Sequence, residues 1–368
     1  MKSKFLQGML EATRLTKSGK VGDATALIKH LVSSTGTMSP AAKAKPDWTP
    51  ARSIKGAVTD HAPHHGPRRR LQPPRIVEVK PAATNSKGRF EEHVYSSAAG
   101  QRGYKLYIPM GYSGEPLPLV VMLHGCTQSP DDFAAGTQMN QLADETGFFV
   151  AYPAQSRSAN LSGCWNWFKA EDQKNGTGEP ALITGIAHQI MANLSVDAQH
   201  VYVAGLSAGG AMAAILGVNY PDLFAAIGVH SGLACGAADD MFSGLQAMKS
   251  GGGRQPKRGS GRAIPAIIFH GDHDSTVHPV NGNELIAQLG GEGILTPPTS
   301  STGKSAGGLK YTQSVQSDAS GKTVSEQWVI HGAGHAWSGG SSKGSYTEPN
   351  GVDASREMIR FFLTHSLN

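Results

Sequence analysis

One short segment constrains the fold of this chain more than any other. An apolar, β-branched run, VYVA at 201–204, leads directly into Gly205-Leu206-Ser207-Ala208-Gly209-Gly210, and an alanine-rich helix is predicted over 208–217. A serine at such a strand-to-helix turn is typical of a nucleophile elbow, which exposes the hydroxyl at one edge of a sheet. Glycines two residues before and after the serine allow neighbouring chains to pass closely. A glycine-rich turn without chemistry is the alternative, but the strand–turn–helix setting favours the elbow.

Apolar segments of strand length alternate with amphipathic segments of helix length through most of the chain. After an antiparallel pair at 89–96 and 103–108, strands are predicted at 117–123, 148–152, 201–204, 225–230, 266–270 and 325–331. Helices are predicted between them at 131–146, 179–194, 208–217 and 281–289, and at the end over 353–365. This alternation indicates a mostly parallel central sheet with helices on both faces. Together with the predicted nucleophile elbow, it leads us to expect the α/β-hydrolase fold class.

The first 88 residues differ from this pattern. Apolar residues recur at helical spacing over 4–33, with a break at Gly19, which predicts a small helical hairpin. From about residue 33 to 86 the chain is rich in proline and basic residues and has no apolar period, which is typical of a linker or of an arm that wraps over the surface. We therefore divide the chain into an N-terminal arm, 1–88, and a catalytic domain, 89–368.

Charge and hydropathy exclude several classes of partner. The net charge is +5, and much of the basic excess lies in RRR at 68–70 and RQPKRGSGR at 254–262, without interleaved aromatic residues. We expect no nucleic-acid partner. No apolar run approaches the length of a membrane span, so we expect no transmembrane segment. The N-terminus lacks the features of a Sec signal peptide, which predicts a cytoplasmic location.

A serine hydroxyl needs a base to take its proton, and the base needs an acid to orient it. In chains with such an elbow, the acid and then the histidine follow the serine. HGDHDSTV at 270–277 and HGAGHAW at 331–337 each follow an apolar strand. Asp272 and Asp274 compete for the role of acid. His331 competes with His335, which lies further into its glycine-rich loop and is therefore favoured as the base.

The first of these loops allows another interpretation. His270, Asp272, His273, Asp274 and His278 could be interpreted as a metal site, but the order of serine, acid and histidine already explains an acid in this loop. We expect no metal and no cofactor.

The oxyanion of an acyl-transfer intermediate needs two backbone donors. Ala208, directly after the serine, is predicted to supply one, and the loop HGCT at 124–127 the other, through the N–H of Cys126. An ordinary strand-to-helix turn is the alternative for that loop. Trp337, two residues after His335, is predicted to face the site, whereas Trp165 and Trp167 are equally well interpreted as pocket or core residues.

These motifs resemble the poly(3-hydroxybutyrate) depolymerase family of esterases, which is related to feruloyl and acetylxylan esterases. The segments that carry the resemblance extend over most of residues 105–362. They are HGCTQSPDDFAAGTQMNQLADETGFFVAYPAQS (124–156), CWNWF (164–168), VYVAGLSAGGAMAAILGVNYPDLFAAIGVHSGL (201–233), FHGDHDSTVHPVNG (269–282), HGAGHAWSGG (331–340) and the ending DASREMIRFF.

The resemblance implies more than the residues alone do. It assigns the nucleophile to Ser207, the acid to Asp274 rather than Asp272, and the base to His335. It also implies a disulfide between Cys126 and Cys164, which would tie the oxyanion loop to the CWNWF loop. Family members often act outside the cell, in contrast to the cytoplasmic location that the N-terminus predicts.

The expected function is hydrolysis of short-chain hydroxyacid esters or polyesters by a serine esterase. A feruloyl or acetylxylan esterase is the alternative within the enzymes, and a peptidase is a weaker one. An alternative of another class is a partner- or granule-binding protein with a degenerate hydrolase scaffold. The amphipathic spacing of residues 5–31 also suggests that the N-terminal helices dock the enzyme on a polymer granule.

Overall fold

The computed structural model describes residues 88–252, 264–289 and 295–367, together with Glu11 and Leu27. Glu11 and Leu27 are both helical. Nearly all of the predicted N-terminal arm, and the basic stretch at 254–262, lie outside the described residues. The division at residue 88 therefore stays a prediction.

A ten-stranded sheet forms the centre of the described chain. Its strands are β1 (Arg89–Ser97), β2 (Gly100–Ile108), β3 (Leu117–Leu123), β4 (Phe149–Pro153), β5 (Val196–Leu206), β6 (Ala226–His230), β7 (Ala266–Gly271), β8 (Thr299–Lys304), β9 (Lys310–Ser317) and β10 (Thr323–Ile330). The spatial order is β1-β2-β4-β3-β5-β6-β7-β10-β9-β8. Strands β4, β3, β5, β6, β7 and β10 run parallel. The predicted mostly parallel sheet is confirmed.

Seven α-helices belong to the described ranges. They are α1 (Pro130–Thr137), α2 (Met139–Thr146), α3 (Gly178–Asn193), α4 (Ala208–Asn219), α5 (Met241–Ser250), α6 (Val280–Leu289) and α7 (Ala354–Phe362), and a 3₁₀ turn lies at Ala170–Gln173. The single helix predicted over 131–146 is wrong, because Gln138 adopts a left-handed conformation (φ 56°) that ends α1 and begins α2. Within these ranges, no helix is long and apolar enough to cross a bilayer.

Alternate residues of the central strands pack against different helices. Leu119, Val121 and Leu123 of β3 belong to one apolar cluster, which includes residues of α3 and α4. Val120 and Met122 belong to a second cluster, which includes residues of α1, α2 and α7. Because successive side chains of a strand point to opposite faces, this division places helices on both faces of the sheet. The expected α/β architecture, a mostly parallel sheet with helices on both faces, is confirmed.

Antiparallel strands extend the sheet at both ends. The β1–β2 hairpin pairs Arg89 with Ile108 and Ser97 with Gly100, as the sequence predicts. Strands β8 and β9 add a second antiparallel pair beside β10, which the sequence analysis missed. The β8 sequence, TSSTGK, is polar and mostly exposed, so it lacks the apolar alternation by which strands are recognised.

Candidate active site

Ser207 lies at the sharp turn between β5 and α4. Its backbone has φ 57° and ψ −119°, a conformation that non-glycine residues rarely adopt. The N–H of Ser207 donates to the carbonyl of His230 at the end of β6, at 2.9 Å. A side chain at Gly209 would collide with the backbone of Leu123 on the neighbouring strand. The turn therefore has the strained geometry and the close chain approach of a nucleophile elbow.

Asp274 and His335 form a buried pair at the same edge of the sheet. Nδ1–H of His335 donates to Oδ2 of Asp274 at 2.7 Å, and the Asp274 side chain is fully buried. The other oxygen, Oδ1, accepts the N–H groups of Thr276 and Val277, both at 2.9 Å. Burial raises the pKa of Asp274, but hydrogen bonds from His270 and His335 outweigh it, so the pKa lies far below its usual value. The carboxylate is therefore charged at neutral pH and fixes one tautomer of His335.

Asp272 and His331 form a separate, more exposed pair. Their side chains are joined at 2.8 Å, and the N–H of Gly332 donates to the Asp272 carboxylate at 2.7 Å. The second ring nitrogen of His331 contacts the hydroxyl of Thr312 at 2.9 Å. Both nitrogens of His331 are thus engaged away from Ser207, and the two acids that compete in the sequence have different histidine partners.

His230, which the sequence analysis did not single out, connects the serine turn to the histidine loop. Its carbonyl accepts the N–H of Ser207, and its Nε2 accepts the N–H of Ser338 at 3.0 Å. The ring stacks on Phe269 and Trp337. Burial, and then the nearby His270 and His335, lower the pKa of His230 to about 3. Its position at the end of a strand beside the elbow strand is the signal that could have identified it.

The loop after β3 lies under several constraints. A disulfide joins Cys126 to Cys164, the pair that the family resemblance implies. Thr127 has a positive φ (66°), and its N–H donates to the carbonyl of Ser162 at 2.8 Å. Within the described part of the chain, the N–H groups of Cys126 and Ala208 donate to no protein acceptor. Both N–H groups therefore meet the requirement of the predicted oxyanion role, which is an unpaired donor.

A buried polar network contacts the start of this loop through His124. Nε2 of His124 accepts the N–H of Gln155 at 3.1 Å, and Nδ1–H of His124 donates to the carbonyl of Gly125 at 2.8 Å. The Gln155 side chain contacts both Arg102 and Glu179, which are themselves buried and lie 3.8 Å apart. Nothing in the local sequence marks these residues as a network, because it joins four separate segments.

The prediction that Trp337 faces the site is wrong, and of the two interpretations of Trp165 the structure supports the core. Trp337 is only 1% exposed, packs edge-to-face on Phe133, and donates its indole N–H to Ser355 at 3.0 Å. Trp165 is fully buried and donates to the carbonyl of His124 at 3.1 Å. Both rings belong to the core because each indole N–H finds an internal acceptor. Trp167 is also nearly buried, belongs to the same apolar cluster as Trp165 and packs edge-to-face on Phe168. Its contact with substrate stays a prediction.

The residues of the alternative metal interpretation have other partners. Nε2–H of His270 donates to the carbonyl of Val277 at 2.8 Å, and Asp272 and Asp274 bind different histidines. Among the residues that the structure describes, no group of three or more His, Cys, Asp or Glu side chains is arranged to hold a metal ion.

Known proteins resemble this chain in sequence and in fold. The model of the family "Esterase PHB depolymerase" matches residues 102–299, more than half of the 368 residues. Poly(3-hydroxyalkanoate) depolymerase C of Paucimonas lemoignei is 35% identical over 62% of the chain, which spans only 57% of that relative's length. Feruloyl esterase B of Thermothelomyces thermophilus is 32% identical, over 50% of the chain and 67% of the relative.

Comparison with solved structures confirms the predicted α/β-hydrolase fold class. The acetyl xylan esterase from Aspergillus awamori superposes with a TM-score of 0.60 and 20% identity. The superposition covers 75% of this chain and 100% of the esterase.

Proposed function

Because this chain belongs to the esterase PHB depolymerase family, we propose that it is a serine-dependent carboxylic ester hydrolase acting on short-chain hydroxyacid esters or polyesters. The observation that carries the proposal is the convergence of three elements at one sheet edge. A strained serine turn, a buried Asp274–His335 pair and two free backbone donors are the parts that acyl transfer requires.

In the first half-reaction, Oγ of Ser207 bonds to the ester carbonyl carbon while its proton passes to Nε2 of His335. Asp274 accepts Nδ1–H of His335 and stabilises the resulting imidazolium. The N–H groups of Cys126 and Ala208 bind the oxyanion. The intermediate then loses the alcohol, which takes the proton from His335, and an acyl-Ser207 ester is left.

In the second half-reaction, water replaces the alcohol. His335 takes a proton from the water as its oxygen bonds to the acyl carbon. Collapse of the second intermediate breaks the bond to Ser207, and the proton returns from His335 to the serine. The products are one carboxylic acid and one alcohol, and the cycle as written uses only residues of this chain.

The substrate class rests on the relatives. The poly(3-hydroxyalkanoate) depolymerase matches a larger part of this chain, at a higher identity, than the feruloyl esterase does. This favours a hydroxyacid ester, and a feruloyl or acetylxylan ester is the second candidate. The proposal concerns this chain only, since it spans just over half of the depolymerase.

Hydrolysis of a substrate panel tests the proposal. Wild type and Ser207→Ala are compared on p-nitrophenyl acetate, butyrate and octanoate, on amorphous poly(3-hydroxybutyrate) and on methyl ferulate. Ser207-dependent release of 3-hydroxybutyrate supports the proposal, and Ser207-dependent turnover of methyl ferulate alone moves the substrate to plant cell-wall esters. Ester hydrolysis without hydrolysis of aminoacyl amides excludes the peptidase. Failure to hydrolyse any ester favours the binding protein with a degenerate scaffold.

We further propose that the helices predicted over residues 4–33 attach the enzyme to a polymer granule. The support is the helical spacing of apolar residues over 5–31. Sedimentation with poly(3-hydroxybutyrate) granules compares the full chain with a variant that lacks residues 1–88. Equal binding of the two proteins would refute this attachment.

A further inference from the structure

Two exposed hydroxyl groups meet beside the candidate oxyanion hole. Oγ1 of Thr127 lies 3.2 Å from the phenolic oxygen of Tyr346, although the two residues are 219 positions apart. Thr127 directly follows Cys126, whose N–H is a proposed oxyanion donor. Tyr346 lies in the segment that follows His335, and its side chain is exposed at 41%. The hydroxyl pair therefore joins the oxyanion loop to the histidine loop at the surface.

Both residues have a backbone conformation that disfavours their side chains. Thr127 has φ 66° and Tyr346 has φ 53°. Such a conformation costs about 1–3 kcal/mol for a non-glycine residue and persists only where the surroundings enforce it. The N–H of Thr127 is held by Ser162, and the carbonyl of Tyr346 accepts the N–H of Trp337 at 2.7 Å. These bonds hold the backbone of both residues in place, and the hydroxyl–hydroxyl contact at 3.2 Å orients the two side chains.

A second set of hydrogen bonds fixes the two loops relative to each other. The Gln128 side chain accepts the N–H of Gly125 at 2.9 Å and donates to the carbonyl of Ser345 at 3.1 Å and to Asp132 at 3.0 Å. Asp132 in turn accepts the N–H of Ser345 at 2.9 Å. The residues next to Thr127 and Tyr346 are thus hydrogen-bonded to each other, so the two hydroxyl groups are positioned before a substrate binds.

The two hydroxyl groups carry two protons, and the hydrogen bond between them uses only one. A phenol is more acidic than an aliphatic hydroxyl, so Tyr346 is the better donor and Thr127 the better acceptor. The hydroxyl proton of Thr127 then remains available, and its donor strength increases because the same oxygen accepts a hydrogen bond. An exposed, oriented donor beside the oxyanion hole suits a substrate with a second carbonyl oxygen near the scissile ester.

We infer that the Thr127–Tyr346 hydroxyl pair binds a second ester carbonyl, and so selects oligomeric hydroxyacid esters over simple esters. Oligomers carry an ester group in every repeat, whereas a simple alkanoate ester has only the scissile carbonyl. The inference rests on the proposed serine esterase function and specifies the substrate class of that site.

The selectivity ratio of the enzyme tests this inference. The ratio is kcat/KM for the methyl ester of the 3-hydroxybutyrate trimer divided by kcat/KM for p-nitrophenyl butyrate. Thr127→Val removes the donor at nearly constant shape and should lower the ratio about 3- to 10-fold, the usual effect of one lost hydrogen bond. Thr127→Ser keeps the hydroxyl and should hold the ratio within about twofold of wild type.

Tyr346 provides an independent measurement. Tyr346→Phe should lower the ratio by a smaller factor, and the double variant should match Thr127→Val, because Tyr346 acts only through Thr127. An unchanged ratio in Thr127→Val, or an equal loss in Thr127→Ser, would overturn the inference while the proposed esterase stands. Absence of Ser207-dependent trimer hydrolysis by wild type would instead refute the proposed oligoester substrate, and the role of the pair with it.

Discussion

Replacement of Asp274 by Asn should lower kcat by about 10³- to 10⁴-fold with little change in fold. Oδ1 of Asp274 accepts two backbone N–H groups, so the side-chain oxygen of the introduced asparagine would keep that position. The amide NH₂ would then replace Oδ2 and face Nδ1 of His335. A donor at that place favours the tautomer with its proton on Nε2, which cannot take a proton from Ser207.

The size of the effect follows from the charge that is lost. The centres of a carboxylate and an imidazolium in this contact lie about 4 Å apart, which corresponds to about 4 kcal/mol at an effective dielectric constant near 20. That energy alone is a factor of about 10³ in rate. The unfavourable tautomer adds to this loss, since only a fraction of the molecules then carries a competent base.

Asp272→Asn is the matched control for this prediction. Asp272 is chemically identical, lies two residues away and also binds a histidine, but its side chain is 33% exposed. Exposed ion pairs contribute little to stability, and Asp272 binds His331 rather than the proposed base, so kcat should change less than about threefold. The assay is the initial rate of p-nitrophenyl butyrate hydrolysis at saturating substrate, with thermal unfolding to confirm that both variants fold. Equal losses in the two variants would refute the assignment of the acid.

Three further predictions concern stability. Replacement of both Cys126 and Cys164 by Ser should lower the free energy of unfolding, measured in urea, by about 4 kcal/mol, because the bridge closes a loop with a sequence separation of 38. Glu179→Ala leaves the buried Arg102 without its carboxylate and should cost about 3–5 kcal/mol in the same assay; a loss below about 1 kcal/mol would contradict the buried pair. The pKa of His230 is about 3 in the folded protein and 6.5 in the unfolded chain. Between these two pH values the unfolded chain binds more protons, so the free energy of unfolding decreases as the pH falls from about 6.5 to about 3. Urea titrations at several pH values should show a smaller slope in His230→Gln.

The sequence alone identified the elements whose signals are local. The strand before Ser207, the serine turn and the helix after it are contiguous, and each has the composition that its conformation requires. The strands β8 and β9 were missed because both have mostly polar sequences, and β8, as the edge strand, needs no apolar face. The break at Gln138 was missed because a single left-handed residue interrupts no hydrophobic period.

The contacts around the site depend on which distant segments meet. Trp337 was expected at the site because it is near His335 in sequence, yet its ring turns into the core, where Ser355 accepts its N–H. The Thr127–Tyr346 contact and the Arg102–Glu179 network join residues far apart in the chain, and neither has a motif. Such pairs become visible only when the loops at one sheet edge are placed together.

By itself, the sequence determined the strand–turn–helix at Ser207, the alternation that builds a parallel sheet, and a loop with an acid and a loop with a histidine after it. The residues alone left the pairing of acid and histidine open, and although the family resemblance assigned Asp274 and His335, only the tertiary structure shows why each acid meets its own histidine. Strands β7 and β10 are adjacent and in register, with Ile330 beside Gly271, so both loops leave the same edge. Asp272 and His331, the first acid and the first histidine after that edge, form a pair near solvent. Asp274 and His335 lie further along their loops and form a pair in the interior, where a charged group needs a partner.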